Sequence, residues 1–291
     1  MSWRTIVVSS SAKLDYQLGF LVVRTDTTTK VHLNEISVLM LESTAISLTA
    51  SLVNELLKRK IKIVFCDEKR NPCGEVIPYY GSHDTSIKIR KQILWDNAIK
   101  AVIWTEVVSD KIRKQSEFLA ELRKQTEADL LKSYLSEMTL GDTTNREGHA
   151  AKVYFNAVFG IQFTRAEENP INAALNYGYA IILSAFNREV VNNGYITQLG
   201  IFHDNMFNPF NLSSDIMEPF RILVDRKVYS MQPEKLEHEE KAELVNLLNE
   251  EVYIADRKEY VNNAIKIYVK SVLDALSEND SSMIRFYKNE L

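Results

Sequence analysis

Over its first eighty residues the chain alternates short apolar runs with polar turn residues. "TIVVSS", "GFLVVRT", "KVHLNEISVLMLE" and "KIVFCD" are rich in Val, Ile, Leu and Phe and have the length and boundaries of β-strands. One stretch breaks that rhythm. In "SLTASLVNELLKRK", Leu48, Leu52, Leu56 and Leu57 fall on one stripe, which predicts a helix with Ser47 as its cap. The segment "EKRNPCGEVIPYYGSHDTS" then concentrates Pro72, Gly74, Pro78 and Gly81, and this turn chemistry predicts a boundary near Asp84.

Beyond Asp84 the periodicity becomes helical. The run from Ile87 to Met138 contains neither Gly nor Pro, and its apolar positions recur at helical spacing. "INAALNYGYAIILSAFNREVVNN" predicts a buried helix, because residues 173–186 are nearly all apolar, and helical segments resume from Glu234. The expected fold is α+β: a small β-rich, sandwich-like N-terminal domain over residues 1–84, followed by a larger all-α domain over residues 85–291. "KVHLNEISVLMLE" crowds Val31, Leu33, Ile36, Val38, Met40 and Leu41 into eleven residues. That is more apolar surface than one small sheet face uses, so a homodimer built through residues before Asp84 is expected.

Composition narrows the class only slightly. Apolar residues make up 45% and charged residues 25% of 291, ordinary globular values. No run of 18 apolar residues occurs and "MSWRTIVVSS" lacks the form of a secretory signal, so no membrane is involved and a cytoplasmic location is expected. Cys66 and Cys73 match no usual zinc spacing and receive no chemistry. The net charge of -4 argues mildly against a nucleic-acid partner. The last 58 residues, however, hold 8 Lys and Arg against 13 Asp and Glu, so the preceding chain carries about +1. Basic clusters occur in "LKRKIK" at 57–62 and in "KIRK" at 88–91 and 111–114, each of which reads equally as a solvated face.

Two stretches carry candidate chemistry. In "TTNREGHAAKVYF", Thr144 and Glu147 have the spacing of a capping box, while Ala150 and Ala151 lie beside Glu147 on the same helix face and leave room there. Capping needs no such room, whereas a metal ion with a bulky substrate does. His149, two residues on, points elsewhere. In "LGIFHDNMFNPFNLSSDIMEPFR", Gly200, Pro209 and the asparagines 205, 208 and 211 place His203 in a loop. Ser214 is then a natural cap for a new helix, with Asp215, Glu218 and Pro219 in its first turn and the two carboxylates able to converge. One imidazole with two carboxylates suits Mn²⁺ or Mg²⁺. Glu218 also stands three residues from Arg221 and can pair with it.

Together, "REGHAAKVYFNAVFG", "NPINAALNYGYAIILSAF" and "GIFHDNMFNPFNLSSDIMEPFR" resemble the CRISPR-associated integrase family, the universal spacer-acquisition subunit, in the form that accompanies type II systems. The resemblance covers the whole chain. It implies that Glu147, His203 and Glu218 are catalytic and hold the Mg²⁺ or Mn²⁺ ion, with Asp215 as a supporting or alternate ligand. It also implies that captured DNA is inserted into a repeat array by 3′-hydroxyl attack on a phosphodiester.

Arg221 and Lys152 are candidate phosphate contacts, although Arg221 can equally be a structural partner of Asp215. The implied partners are double-stranded DNA, a second copy of the chain and a small ferredoxin-like CRISPR-associated subunit. Type II systems add an RNA-guided nuclease and a DNA-end-binding ring protein. Two rival readings stay open: a metal-dependent repair or junction nuclease that does not integrate, and a noncatalytic scaffold.

Overall fold

The structure is a computed structural model that describes residues 4–78 and 82–288; Gly81, one of the turn residues above, lies outside the described residues. Its N-terminal part holds β1 (Arg4–Val8), β2 (Ala12–Gln17), β3 (Phe20–Arg24), β4 (Thr28–His32), β5 (Ile36–Leu41), β6 (Ile46–Leu48), α1 (Ala50–Lys58), β7 (Lys62–Cys66) and β8 (Pro72–Glu75). They form two sheets, ordered β1-β5-β7-β8 and β4-β3-β2-β6. In the first, β1, β5 and β7 run parallel and β8 returns antiparallel. The second is antiparallel except where β6 joins β2. The N-cap of α1 is Thr49, whose hydroxyl accepts from the Leu52 amide, and not Ser47, which belongs to β6.

"KVHLNEISVLMLE" is not one strand. A turn of 3-10 helix, Leu33–Glu35, separates β4 from β5, so the run leaves one sheet and enters the other. The alternation along β5 then feeds two cores. Ile36, Leu39 and Leu41 pack between the sheets with Leu14, Leu21 and Leu52, whereas Val38 and Met40 join Val64 and Cys66 against the helical part of the same chain. The apolar surplus that predicts a dimer is therefore covered intramolecularly.

The helical part contains α2 (Thr85–Ile93), α3 (Asn97–Glu121), α4 (Gln125–Ser136), α5 (Arg146–Phe159), α6 (Pro170–Asn192), α7 (Asn211–Ile216), α8 (Arg221–Met231), α9 (His238–Asn246) and α10 (Val261–Glu278). It is not all-α: β9 (Glu251–Ile254) and β10 (Arg257–Tyr260) pair as a hairpin ahead of α10. The turn residues Ala255 and Asp256 both have positive φ, at 51° and 61°. A tight hairpin needs that geometry, but glycine or asparagine usually supplies it, so the turn is hard to see in the sequence.

The long α3 is the axis of the helical part. Asp96 caps it by accepting from the Ala98 amide, and it packs against α4, α5, α8 and α10. Trp104, Lys111 and Gln115 lie seven and four residues apart, and hence on one face. All three are buried.

Candidate functional site

Glu147 stands in the first turn of α5, but the capping box does not form there. Asp142 takes that role, accepting from the Arg146 amide at 2.7 Å and the Glu147 amide at 3.0 Å. Asn145, in the left-handed region at φ 52°, caps the next amide, Gly148. These two side chains satisfy the free amides of the helix start and release the Glu147 carboxylate for another partner. That partner is the Lys111 ammonium on α3, 2.6 Å from Glu147 Oε1. The space read beside Glu147 is only partly room: Ala150 is buried in the core. His149 is exposed and faces the Tyr134 ring.

Glu218 comes to the same ammonium from the opposite side. It does not open a helix capped by Ser214, because α7 starts at Asn211 and Ser214 lies inside it. A turn of 3-10 helix, Glu218–Phe220, carries Pro219 between α7 and α8, where the proline breaks no α-helical hydrogen bond. From this turn Glu218 Oε2 lies 2.5 Å from Lys111 Nζ, and Oε1 lies 2.8 Å from Arg221 Nε. Burial alone would raise the Glu218 pKa, but Arg221 and Lys111 outweigh it and hold the carboxyl below the usual range. Lys111 shows the converse: burial disfavours its charge, while Glu218 and Glu147 keep it protonated above the ordinary lysine value.

The Asp215 carboxylate does not converge with Glu218. It is fully buried and holds the His203 loop, with Oδ2 accepting from the amides of Ile201 at 2.7 Å and Phe202 at 2.9 Å. The His203 amide reaches Oδ1 at 3.2 Å, and Oδ1 also bonds His203 Nδ1. The imidazole therefore presents Nε2 outward as its lone-pair atom. Its Asp215 partner raises the His203 pKa, with partial burial opposing and the charges of Glu147 and Glu218 adding. Below the loop, Trp104 stacks on Phe202 at 4.3 Å and meets the His203 ring edge-on at 5.6 Å. α3 thus supports both halves of the site, Trp104 under the histidine and Lys111 between the carboxylates.

Arg221 is the partner of Glu218, not of Asp215, and its guanidinium lies 4.8 Å from the Tyr179 ring centroid. Lys152 is exposed on α5. Lys111 and Lys114, two of the three basic residues of the third cluster, are buried, and only Arg113 faces solvent, so that cluster is not a solvated basic face.

The donor chemistry of Glu147, His203 and Glu218 fits a hard divalent ion, and the two glutamates already flank a cation. Among the described residues, no three carboxylate, imidazole or thiol groups are gathered tightly enough to hold an ion as they stand, because Lys111 occupies the space between the glutamates. Sequence reasoning missed Lys111, 36 residues before Glu147 and 107 before Glu218. Its sequence signal was the third basic cluster, "KIRK" at 111–114, in which it looks like an ordinary surface charge.

The profile of the family described as CRISPR associated protein Cas1 matches residues 5–255. The chain is 35% identical to the CRISPR-associated endonuclease Cas1 of Neisseria meningitidis serogroup C over 229 residues, 78% of this chain and 75% of that protein. It is 24% identical to a CRISPR-associated endonuclease Cas1 of Francisella tularensis subsp. novicida over 283 residues, 89% of each. Among solved structures, a CAS1 protein from Thermotoga maritima superposes with TM-score 0.74 at 20% identity, covering 94% of this chain and 97% of that one. A casposase bound to integration product superposes with TM-score 0.73 at 17% identity, covering 97% and 93%. With a profile matched across both parts of the fold and a relative of this identity and coverage, the chain belongs to the CRISPR-associated Cas1 family.

Proposed function

We propose that this chain is a metal-dependent DNA endonuclease and integrase of CRISPR adaptation, joining a captured DNA fragment to a repeat array by attack of a 3′-hydroxyl on a phosphodiester. The observation that carries this reading is the placement of Glu147 and Glu218 on two sides of one buried cation site, beside a histidine fixed by Asp215. Membership in the Cas1 family and the endonuclease names of the relatives support it, as does a fold shared with an integrating casposase.

In this reading Glu147, Glu218 and His203 would hold a Mg²⁺ or Mn²⁺ ion, and Asp215 is a positioning residue whose oxygens are already engaged by the loop. Held there, such an ion would supply Lewis acidity to a scissile phosphoryl group and would offset charge on its attacking and leaving oxygens. Asp215 fixes the imidazole tautomer and Arg221 holds the Glu218 carboxylate, so that the ligands reach the reaction already oriented. Exposed Lys152 and, where it reaches past Glu218, Arg221 contribute positive charge toward the phosphate backbone.

The partners proposed are duplex DNA, a second copy of this chain through residues before Asp84, and a small ferredoxin-like CRISPR-associated subunit. A structural neighbour solved as a Cas6-RT-Cas1–Cas2 complex supports the last; this chain spans 36% of that larger chain, with TM-score 0.74 at 20% identity. The RNA-guided nuclease and end-binding ring protein follow only from the type II resemblance. Strand transfer of a short duplex into supercoiled repeat DNA tests the proposal. Joined products that require Mn²⁺ or Mg²⁺ are expected. Cutting without joining would leave a nuclease, and neither activity would leave a scaffold.

A further inference from the structure

Phe202 stands next to His203 with one face of its ring covered and the other uncovered. The covered face lies on Trp104, with centroids 4.3 Å apart and planes 5° from parallel. His203 does not take the second face: its ring centroid is 5.2 Å from that of Phe202 and 5.6 Å from that of Trp104, near right angles to both. A ring stacked beyond Phe202 would lie much farther from Trp104 than from Phe202, so the imidazole flanks the edge of the pair. Phe202 is 49% exposed, and that exposure belongs to its free face and rim.

Three further observations bear on what this stack can receive. Trp104 is fully buried, but its indole Nε1 has no hydrogen-bond partner among the described residues. An unpaired buried donor costs stability that a phenylalanine there would not lose, so what tryptophan adds at this position is its wide ring face. The platform above it is fixed in place. The Phe202 amide donates to Asp215 Oδ2 at 2.9 Å, and Gln92 holds the backbone of Ile196 and Leu199 just ahead. A ring ordered beforehand costs an incoming group little to engage. Past His203 the loop carries exposed Asp204 and then no charge from Asn205 to Phe210, with Met206 and Phe207 86% and 85% exposed. Such a surface disfavours phosphates and accepts apolar faces. In DNA, the flat faces of the bases are the apolar surface available.

We propose that Phe202 is a stacking platform for one unpaired nucleobase of the DNA at this site, which becomes the third ring on the Trp104–Phe202 pair and fixes its strand beside His203. This rests on the DNA reading above and adds to it a positioning residue. Every base has a π-face, so the platform holds DNA with little regard to sequence. It distinguishes a strand that offers a free base from a fully paired duplex, whose bases already stack on one another.

The test titrates the full-length protein into short duplexes carrying 2-aminopurine as an unpaired 3′-terminal base, in EDTA and in Mg²⁺, with fully paired duplexes of the same length as controls. Aminopurine is bright when free and dims when stacked, so it reports ring contact rather than joining. The wild type is expected to dim the probe and to prefer the unpaired end. Phe202→Leu keeps apolar packing on Trp104 but removes the π-face. It should leave the probe bright and bind the unpaired-end duplex about five- to hundredfold more weakly, the usual range for loss of one base–aromatic stack, with the paired duplex little changed. Phe202→Trp should dim the probe again. A wild type that binds without dimming overturns the platform and leaves the DNA reading standing. So does a Phe202→Leu protein that dims the probe as the wild type does or weakens on both duplexes equally. If Phe202→Leu loses its helical circular dichroism, the wild-type measurement decides alone. A wild type that binds neither duplex in either buffer overturns the DNA reading, and the platform with it.

Discussion

Gly200 leaves the space that Asp215 fills. A Cβ at residue 200 would stand 2.7 Å from Asp215 Oδ2 and 2.3 Å from the backbone oxygen of His203. Gly200→Ala should therefore push the His203 loop off its anchor, costing about 1–3 kcal/mol in overpacking. Strand transfer should fall much further than stability, since an ångström of displacement at a reacting centre can cost a hundredfold. Comparing the denaturation midpoint with the joining rate checks this; a Gly200→Ala protein with wild-type joining contradicts it.

Glu147→Ala, His203→Ala and Glu218→Ala should each reduce strand transfer to background while the circular dichroism spectrum keeps its helical form. Two remaining ligands do not orient an ion. His149→Ala, on an exposed face of the same helix as Glu147, should stay within a few-fold of wild type. Equal damage from His149→Ala and Glu147→Ala would mean that the ligand assignment is wrong.

Asp215→Asn isolates the orientation of His203. The Asp215 partner raises the imidazole pKa above its ordinary 6.5, and an imidazolium cannot bind an ion, so Mn²⁺ affinity should decline as pH falls through a midpoint above 6.5. The stabilisation that this pair gives the ion-free fold has the opposite sense: it is complete below 6.5 and is lost as pH rises through the raised value. Asp215→Asn should lower the affinity midpoint and weaken Mn²⁺ binding about 10–100-fold. Titrations at several pH values read both effects, and an unmoved midpoint refutes the role.

Burial pushes the Asp225 carboxyl up to about 6, against the hydrogen bond from Tyr179. Its folded pKa exceeds the ordinary 3.8, so it favours the fold most when protonated, and that contribution erodes as pH rises from about 4 through 6. Asparagine keeps an acceptor for Tyr179 without the charge. Asp225→Asn should therefore gain on wild type by about 2–3 kcal/mol between pH 4 and 7.5, an order-of-magnitude figure from the linkage relation. Urea unfolding at both pH values measures it, and a pH-independent difference between the two proteins rules it out.

The apolar run over 31–41 is covered within the chain and no longer argues for association, so it is the family resemblance alone that leads to the expectation of a dimer at micromolar concentration, with amide exchange in residues before Asp84 slowed by association. A mass near 33.4 kDa would refute this. So would concentration-dependent protection confined to the helical part.

How much of this could be read in the sequence depended on the reach of each interaction. Glu147, His203, Asp215 and Glu218 could be singled out as candidates because each stands in a short local pattern of helix start, turn residue or proline, and the family resemblance joined them into one set. Lys111 did not, because its partners lie 36 and 107 residues away and its neighbours spell an ordinary basic cluster. Asp142 displaced Thr144 from the expected cap because a left-handed residue at Asn145 turned the chain back on itself. Helical texture after Asp84 was plain, whereas the β9–β10 hairpin hid behind a turn of alanine and aspartate. The longest apolar run was misjudged for a related reason. Its break at Leu33–Glu35 carries no proline or glycine, so two strands serving two sheets looked like one.

That run has a mechanical consequence. With alternate side chains of β5 committed to different cores, the sheets and the helical bundle share a common beam rather than meeting at a joint. Torque applied to the N-terminal sheets by a bound neighbour would reach α6, where Tyr177 bonds Met40 and Arg188 bonds the Ser37 carbonyl, and through α6 the α7 and α8 segments on either side of Glu218. Such a molecule suits work in which the span between two distant points must not vary: it behaves as a strut of set length rather than a pair of pieces on a flexible tether.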